Sequence, residues 1–375
     1  MKEKVMDEKM SRRDALKYCA GALSSVAVAS LFNSRCDAKG IFGNSFFNPG
    51  KNPYISNRGV VVLETDILTL KNWPQMAKDA GLNIIGIGPG GIDSYIKNFL
   101  KAEDGQKFLA ECKRLGLEVE HETHFAQQLL PREYFDKDPS MFRENENGER
   151  VREYNLCISS KQAMEIVAEN AVKYARELIS TTGRYYFWTD DGIYMCKCKK
   201  CRQYSDSDQA LIYENNIIKA LRKEVNPHAQ LAHLAYTRTF NPPTQVKPEA
   251  GIFLEFAPIY RLYTEPLSNS NVGQKDQITH GQVLEGLDKN LEVFPSKTAK
   301  ILEYWMDVSR FSDWKKPVVQ LPWNENVFLD DVNTYAKRGI RDITCYAAWI
   351  DAEYVNKFGM PPIDAYGRGL KNYKA

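Results

Sequence analysis

From about residue 58 onward, short runs of β-branched and aromatic residues alternate with longer amphipathic stretches. The short runs predict strands at Gly59–Glu64, Asn83–Ile87, Leu117–His121, Arg184–Thr189, Gln230–Tyr236, Gly251–Phe256, Lys300–Trp305 and Ile343–Trp349. The longer stretches predict helices, with Gln162–Ile179 and Asp208–Val225 the clearest and Ser207 or Asp208 placed to cap the second. Eight strands alternating with helices predict an α/β chain folded as a (β/α)8 TIM-like barrel, with an open doubly wound sheet as the alternative. Segments between the later strands are rich in Pro and Asn and poor in helical periodicity, which predicts a distorted second half. Pro317–Trp323 reads as an extra strand or an extended loop.

The amino-terminal pattern is different. Ser11-Arg12-Arg13-Asp14-Ala15-Leu16-Lys17 precedes an apolar run from Cys19 to Phe32 that is too short to span a bilayer. A charged segment, a short apolar segment and then small or polar residues describe an export signal. The paired arginines resemble a twin-arginine signal, although Ala15 stands where that motif usually has Phe. Residues 1–40 are therefore expected to be signal and processing region, and residues 41–375 one barrel domain of an exported, periplasmic or cell-envelope protein. No stable membrane span is expected once the signal is removed.

Composition narrows the partners. The 375 residues carry a formal net charge of only +2. Neither nucleic acid nor an anionic membrane surface is expected to be drawn to such a chain. The six Trp and 20 Tyr suit sugar stacking, and equally suit a large core. Gly86-Ile87-Gly88-Pro89-Gly90-Gly91 fits a dinucleotide fingerprint, but it follows the second strand, not the first, and reads better as a glycine-rich loop at a barrel mouth. No organic cofactor is expected.

Candidate chemistry concentrates after the fourth strand. Tyr185-Tyr186-Phe187-Trp188-Thr189-Asp190-Asp191-Gly192 ends an aromatic strand in two adjacent carboxylates, at the end of a barrel strand where catalytic groups sit. An ordinary Asp-Asp-Gly turn is the competing reading. Cys196, Cys198 and Cys201 follow as C-x-C-x-x-C, with Cys157 upstream. Four thiolates suit a structural tetrahedral zinc, and disulfides or free thiols are the alternatives.

These features resemble the domain-of-unknown-function family 4838. The resemblance rests on the aromatic strand, the acidic pair, the cysteine motif, Ala348-Trp349-Ile350-Asp351-Ala352-Glu353-Tyr354 and Met360-Pro361-Pro362-Ile363-Asp364-Ala365-Tyr366-Gly367. That family looks like a glycoside-hydrolase barrel related to glycoside hydrolase family 163. The relation implies endo-β-N-acetylglucosaminidase action on N-glycans, with Asp190 and Asp191 at the family's acidic pair. The cysteine layout is also similar to family 42 β-galactosidases, which hold zinc beside their acid/base. Here Asp-Asp replaces their Asn-Glu, so their activity is not implied.

Two mechanisms fit a glycan substrate. In substrate-assisted hydrolysis, Asp190 orients the substrate's acetamido group and Asp191 is the acid/base. In covalent retention, Asp191 is the acid/base and Glu303 the nucleophile. His121, His124, Trp188, His233, Tyr236, Glu255, Trp305, Trp349 and Asp351 are the further mouth candidates for sugar binding. Two other classes stay open: a noncatalytic sugar-binding barrel, and a metal-dependent hydrolase using His121-Glu122-Thr123-His124.

Overall fold

The computed structural model describes residues 53–374 apart from Ile193 and Asp276. The expected export signal, residues 1–40, lies outside the described residues. Eight parallel strands close into a barrel in the order of the chain. They are β1 Asn57–Leu63, β2 Ile84–Gly88, β3 Glu118–His124, β4 Arg184–Trp188, β5 Gln230–Ala235, β6 Ile252–Phe256, β7 Lys300–Glu303 and β8 Asp342–Tyr346. Helices follow most strands and pack their apolar faces on the barrel, as the right-handed crossover of a parallel sheet requires.

Strand ends differ from the sequence reading in a way that matters for the site. β3 runs three residues further than expected, to His124, while β7 and β8 stop early, at Glu303 and Tyr346. Pro317–Trp323 is an extended loop without a ladder. The helix predicted at Asp208–Val225 runs Asp206–Glu224, and its cap is Ser205, whose hydroxyl accepts from the Asp208 amide. The ladders β4–β5 and β6–β7 hold two residue pairs each, against five for β1–β2. Closure is thus thinnest along the second half, where the chain makes a long irregular excursion between β6 and β7.

The barrel interior is not wholly apolar. Side chains alternate inward and outward along a strand. On β3 this sends Glu120 and Glu122 inward, where Lys300 of β7 lies 3.4 and 2.8 Å from their carboxylates. Lys300 also lies 3.2 Å from Glu255 of β6 and 4.2 Å from the Tyr186 ring centroid. Below this cluster Arg184 pairs with Asp342. Buried charges survive only when paired, so this layer is a connected network.

Candidate functional site

A cavity of about 100 Å³ opens at the carboxyl ends of the strands. Its wall is built from Gly88–Gly91 after β2, Glu122 and His124 of β3, Trp188 of β4, Asp191, Trp314, and Tyr346 and Trp349 at the end of β8. The glycine-rich segment curves over the mouth because the Gly90 amide donates to both oxygens of Glu64, at 3.0 Å each. Trp349 sits in the left-handed region, at φ 64°. Such a backbone costs a non-glycine residue stability and persists only where neighbours hold it. Its amide donates to Asp66 Oδ2 at 2.8 Å. Burial raises the Asp66 carboxyl to about 8, partly offset by that amide, and nearby Asp351 adds to the rise.

The two carboxylates after β4 part company. The strand stops at Trp188, and the chain turns through Thr189. Asp190 turns into the protein, where its side chain is wholly buried and lies 2.7 Å from Arg132 Nη2. Its amide donates to Asn155 Oδ1 at 2.9 Å. Asp191 instead reaches the cavity, with Oδ1 3.6 Å from His124 Nε2. His124 Nδ1 is 2.6 Å from the Thr189 carbonyl, which can only accept, so that nitrogen carries the proton. Nε2 is left as the ring nitrogen that faces Asp191. The two side chains thus face the cavity together, at a separation longer than a hydrogen bond.

Strand parity removes several expected residues from the mouth. Glu303 points outward into the helix layer, fully buried against Arg261 at 3.1 Å, with the Tyr335 hydroxyl also donating to it. Arg261 in turn pairs with Asp331. A nucleophile there would have no route to the cavity. Trp305, beyond the end of β7, donates to Asp331 at 3.0 Å and packs on Phe328. His121 faces outward, accepting from the Tyr95 hydroxyl at 2.7 Å, and burial lowers its imidazole to about 4. His233 bonds Glu214 at 2.7 Å and stacks on Phe294, also in the helix layer. Glu255 is interior but beneath the floor, where it accepts from Trp188 Nε1 at 2.9 Å. Asp351 caps the helix Ala352–Phe358. Tyr236 lies beside His124, with ring centroids 6.1 Å apart, at a smaller crevice that Asp190 also lines. The structure thus gathers His124, Trp188, Asp191 and Trp349 from the expected set.

Glu122 was named from the sequence only within a possible metal-binding motif, and Glu120 of the layer beneath, Gln128 and Trp314 were missed. Glu120 and Glu122 share a face by their spacing on β3, and that alternation was the available signal. Gln128 stands on the one-turn helix Ala126–Leu129 and Trp314 on a turn, segments too short to carry a periodic signal.

The four cysteines meet behind the same loop. Their sulfurs lie within 4.8 Å of one another and all are buried. Cys157 is 3.8 Å from Cys198 and 3.7 Å from Cys201. A zinc–sulfur length of about 2.3 Å places the sulfurs of a tetrahedron about 3.8 Å apart, so the donor set fits that ion. Gln209 braces the loop by accepting from the Cys196 amide at 3.1 Å and donating to the Cys196 and Cys201 carbonyls.

A model of the family "Domain of unknown function (DUF4838)" matches residues 97–299, more than half of the chain. The chain belongs to this family. The match spans β4, the acidic pair and all four clustered cysteines. No curated protein matches the sequence. Among solved structures, the chain is similar to Gan42B, a GH42 β-galactosidase from G. stearothermophilus, at 14% identity and a TM-score of 0.51. That alignment covers 85% of this chain and 57% of the other, so the chain spans little more than half of that enzyme's length. A family 39 glycoside hydrolase from the gut symbiont Bacteroides cellulosilyticus WH2 aligns at 10% identity and a TM-score of 0.49, over 86% of this chain and 65% of its own. The catalytic domain of a β-amylase from Paenibacillus polymyxa gives 11% and 0.49, over 86% and 98%. The Gan42B likeness is one of fold, the closed eight-stranded (β/α)8 barrel of this DUF4838 member.

Proposed function

We propose that the protein is an exported glycoside hydrolase acting on glycans that contain β-linked N-acetylglucosamine. The observation that carries this reading is the Asp191–His124 pair, which opens on a cavity walled by Trp188, Trp314, Tyr346 and Trp349. Aromatic walls stack on the apolar faces of a pyranose. The sugar class rests on the family resemblance alone.

Asp191 is the acid/base that protonates the leaving oxygen and then activates water. Among the described residues the cavity wall carries one other carboxyl, Glu122, which Lys300 approaches to 2.8 Å. Burial pushes that carboxyl toward its neutral form, a poor nucleophile, so substrate assistance is favoured over a covalent enzyme intermediate. When the substrate's acetamido oxygen attacks the anomeric carbon, the protein need not supply a nucleophile. Glu303 is turned away, and Asp190 holds the loop through Arg132 and Asn155. Neither is assigned a step. A noncatalytic sugar-binding barrel is the second reading, favoured by the aromatic walls if turnover is absent.

Cys157, Cys196, Cys198 and Cys201 would hold one zinc. Bound there, it would supply structural cross-linking, since four thiolates leave no position for water. The loop it pins leads from Asp191, and Asn155, two residues before Cys157, accepts from the Asp190 amide.

The deciding experiment compares wild type and Asp191→Asn on a chitobiose-cored N-glycan and on an activated aryl β-N-acetylglucosaminide. The variant is expected to lose about 10²- to 10⁴-fold on the glycan and far less on the aryl glycoside, whose leaving group needs little protonation. Equal activity of both proteins on the glycan would refute the assignment of Asp191. Sugar binding without any turnover by the wild type would favour the noncatalytic reading. Export is tested separately, by sequencing the amino terminus of envelope material, where an intact Met1 would count against it.

A further inference from the structure

The floor of the cavity poses a question of charge. Two cations, Lys300 and Arg184, face four carboxyls, Glu120, Glu122, Glu255 and Asp342, in a layer whose charged side chains are at most 11% exposed. Arg184 matches Asp342. Lys300 lies nearest Glu122, at 2.8 Å, then Glu255 at 3.2 Å and Glu120 at 3.4 Å. Of these three only Glu120 accepts on both oxygens, from Thr182 and Tyr186, while Glu122 and Glu255 each keep one oxygen without a hydrogen-bond partner among the described residues. Glu120 is therefore the anion, and two carboxyls are left in excess. Ionised carboxylates without counter-charge are too costly to keep in such a place, so protons must stay on the surplus pair. Burial, together with the neighbouring acids, pushes Glu122 well above the ordinary range and outweighs the pull of Lys300. Burial also raises Glu255. Against burial, Lys300 and Arg184 hold Glu120 low.

The two surplus acids have different surroundings. Glu255 accepts from Trp188 Nε1 and faces the interior. Glu122 lines the cavity. Its Oε1 takes Lys300 at 2.8 Å, but its Oε2 is buried with no hydrogen-bond partner among the described residues. The same is true of Gln128 Oε1 and Trp314 Nε1, which belong to the same wall. One cavity thus collects three buried polar atoms of complementary character without partners, although buried polar groups are normally paired. Space has been left for this arrangement: a Cβ on Gly86 would lie 2.3 Å from Glu122 Oε1. At about 10–15 Å³ per water-sized group, the cavity holds roughly seven to ten such groups, the size of one sugar ring and not of an oligosaccharide.

We propose that Glu122 is a neutral acid whose Oε2–H donates to a hydroxyl oxygen of a single uncharged sugar residue, which Gln128 Oε1 and Trp314 Nε1 also read. The inference rests on the glycosidase reading for the nature of the ligand, but the protonation of Glu122 does not. Groups that face Glu122 from the packed elements are Glu120, Tyr186, Glu255 and Lys300, with His124 and Asp191 sharing the cavity wall. The charges of the floor already cancel, so an anionic sugar would add a buried charge without a counter-charge, and an uncharged hydroxyl is the fitting acceptor.

Infrared difference spectroscopy of wild type against Glu122→Gln tests the first part without any ligand. A protonated-carboxyl stretch present in wild type and lost in the variant is expected at neutral pH. Its absence from wild type would overturn the proposal and leave the glycosidase reading untouched. Tryptophan fluorescence then follows titration with N-acetylglucosamine and with galactose. Glu122→Leu is expected to weaken binding of the preferred sugar about 10- to 100-fold, as for a lost buried hydrogen bond. Glu122→Gln, which keeps a neutral donor, should recover most of that loss. A carboxyl band that does not move when wild type is saturated with a sugar it binds would overturn the contact. Should Glu122→Leu fail to fold, the band and its shift in wild type still decide. Failure of wild type to bind any sugar would remove the glycan reading, and this contact with it.

Discussion

Asp191 follows β4 and Glu303 ends β7, so both acids stand at the carboxyl ends of barrel strands beside a tryptophan-bearing segment. One reaches the cavity and the other is sealed into the helix layer. The difference comes from where each strand stops. β4 ends before its acids, and the turn through Thr189 swings Asp191 to the mouth. β7 still holds Glu303 in its ladder, where it pairs with Cys345 of β8 and parity points it outward. Lys300, three residues earlier, points inward by the same rule. A carboxylate near a strand end is thus a candidate for chemistry only after its face is known.

The comparison predicts opposite consequences for the two acids. Asp191→Asn is expected to lose about 10²- to 10⁴-fold in turnover of poor leaving groups with little change in denaturation midpoint. Glu303→Ala is expected to cost about 3–5 kcal/mol of stability, because Arg261 would stay buried with only Asp331 to balance it. Its folded fraction should keep its kcat. Urea titrations and turnover measured on the same preparations separate the two, and a dead but fully stable Glu303→Ala would break the comparison.

Next in size is the thiol cluster. Cys201→Ser is expected to lose stoichiometric zinc by elemental analysis and to lower activity by up to about 100-fold through misplacement of the Asp191 loop. The barrel core should melt near the wild-type temperature. Wild-type protein without zinc and with two disulfides by mass would refute the metal.

The smallest effect concerns Asp66, which holds Trp349 in the cavity wall. Its carboxyl is raised from an ordinary value near 3.8 to about 8. An acid raised in the folded state contributes stability below the unfolded value, and that contribution is lost as pH rises through the folded value. Wild type should therefore lose stability between about pH 4 and pH 8. Asp66→Asn, which carries no titrating proton and keeps an acceptor for the Trp349 amide, should lose less over the same range. Identical pH profiles for the two proteins in urea titrations would show that Asp66 holds no proton.

Much of the frame was legible in the chain itself. Runs such as Asn83–Ile87 and Gly251–Phe256 are apolar but for Asn83 and Glu255, because strands of a parallel barrel are covered on both faces. Their alternation with amphipathic stretches specified the barrel, and the spacing of Cys196, Cys198 and Cys201 marked a built cluster. Site residues were less legible. His121 and His124 differ by three positions, so opposite faces of β3 were foreseeable only once that strand was known to run to His124. Trp314 arrives through a loop whose conformation includes φ values of 51° and 53° at Asp313 and Trp314, and local sequence does not encode its approach to Trp349.

Local pattern by itself determined element type, barrel class and the presence of an acidic pair, since these follow from periodicity and residue chemistry within one segment. Only the tertiary structure decided which acid is free. Asp190 is occupied by Arg132, 58 positions earlier, and Glu303 by Arg261, 42 positions earlier. Glu122 meets Lys300 across 178 residues. Charge balance in a buried layer depends on partners brought together by closure of the barrel, and no window of sequence contains them.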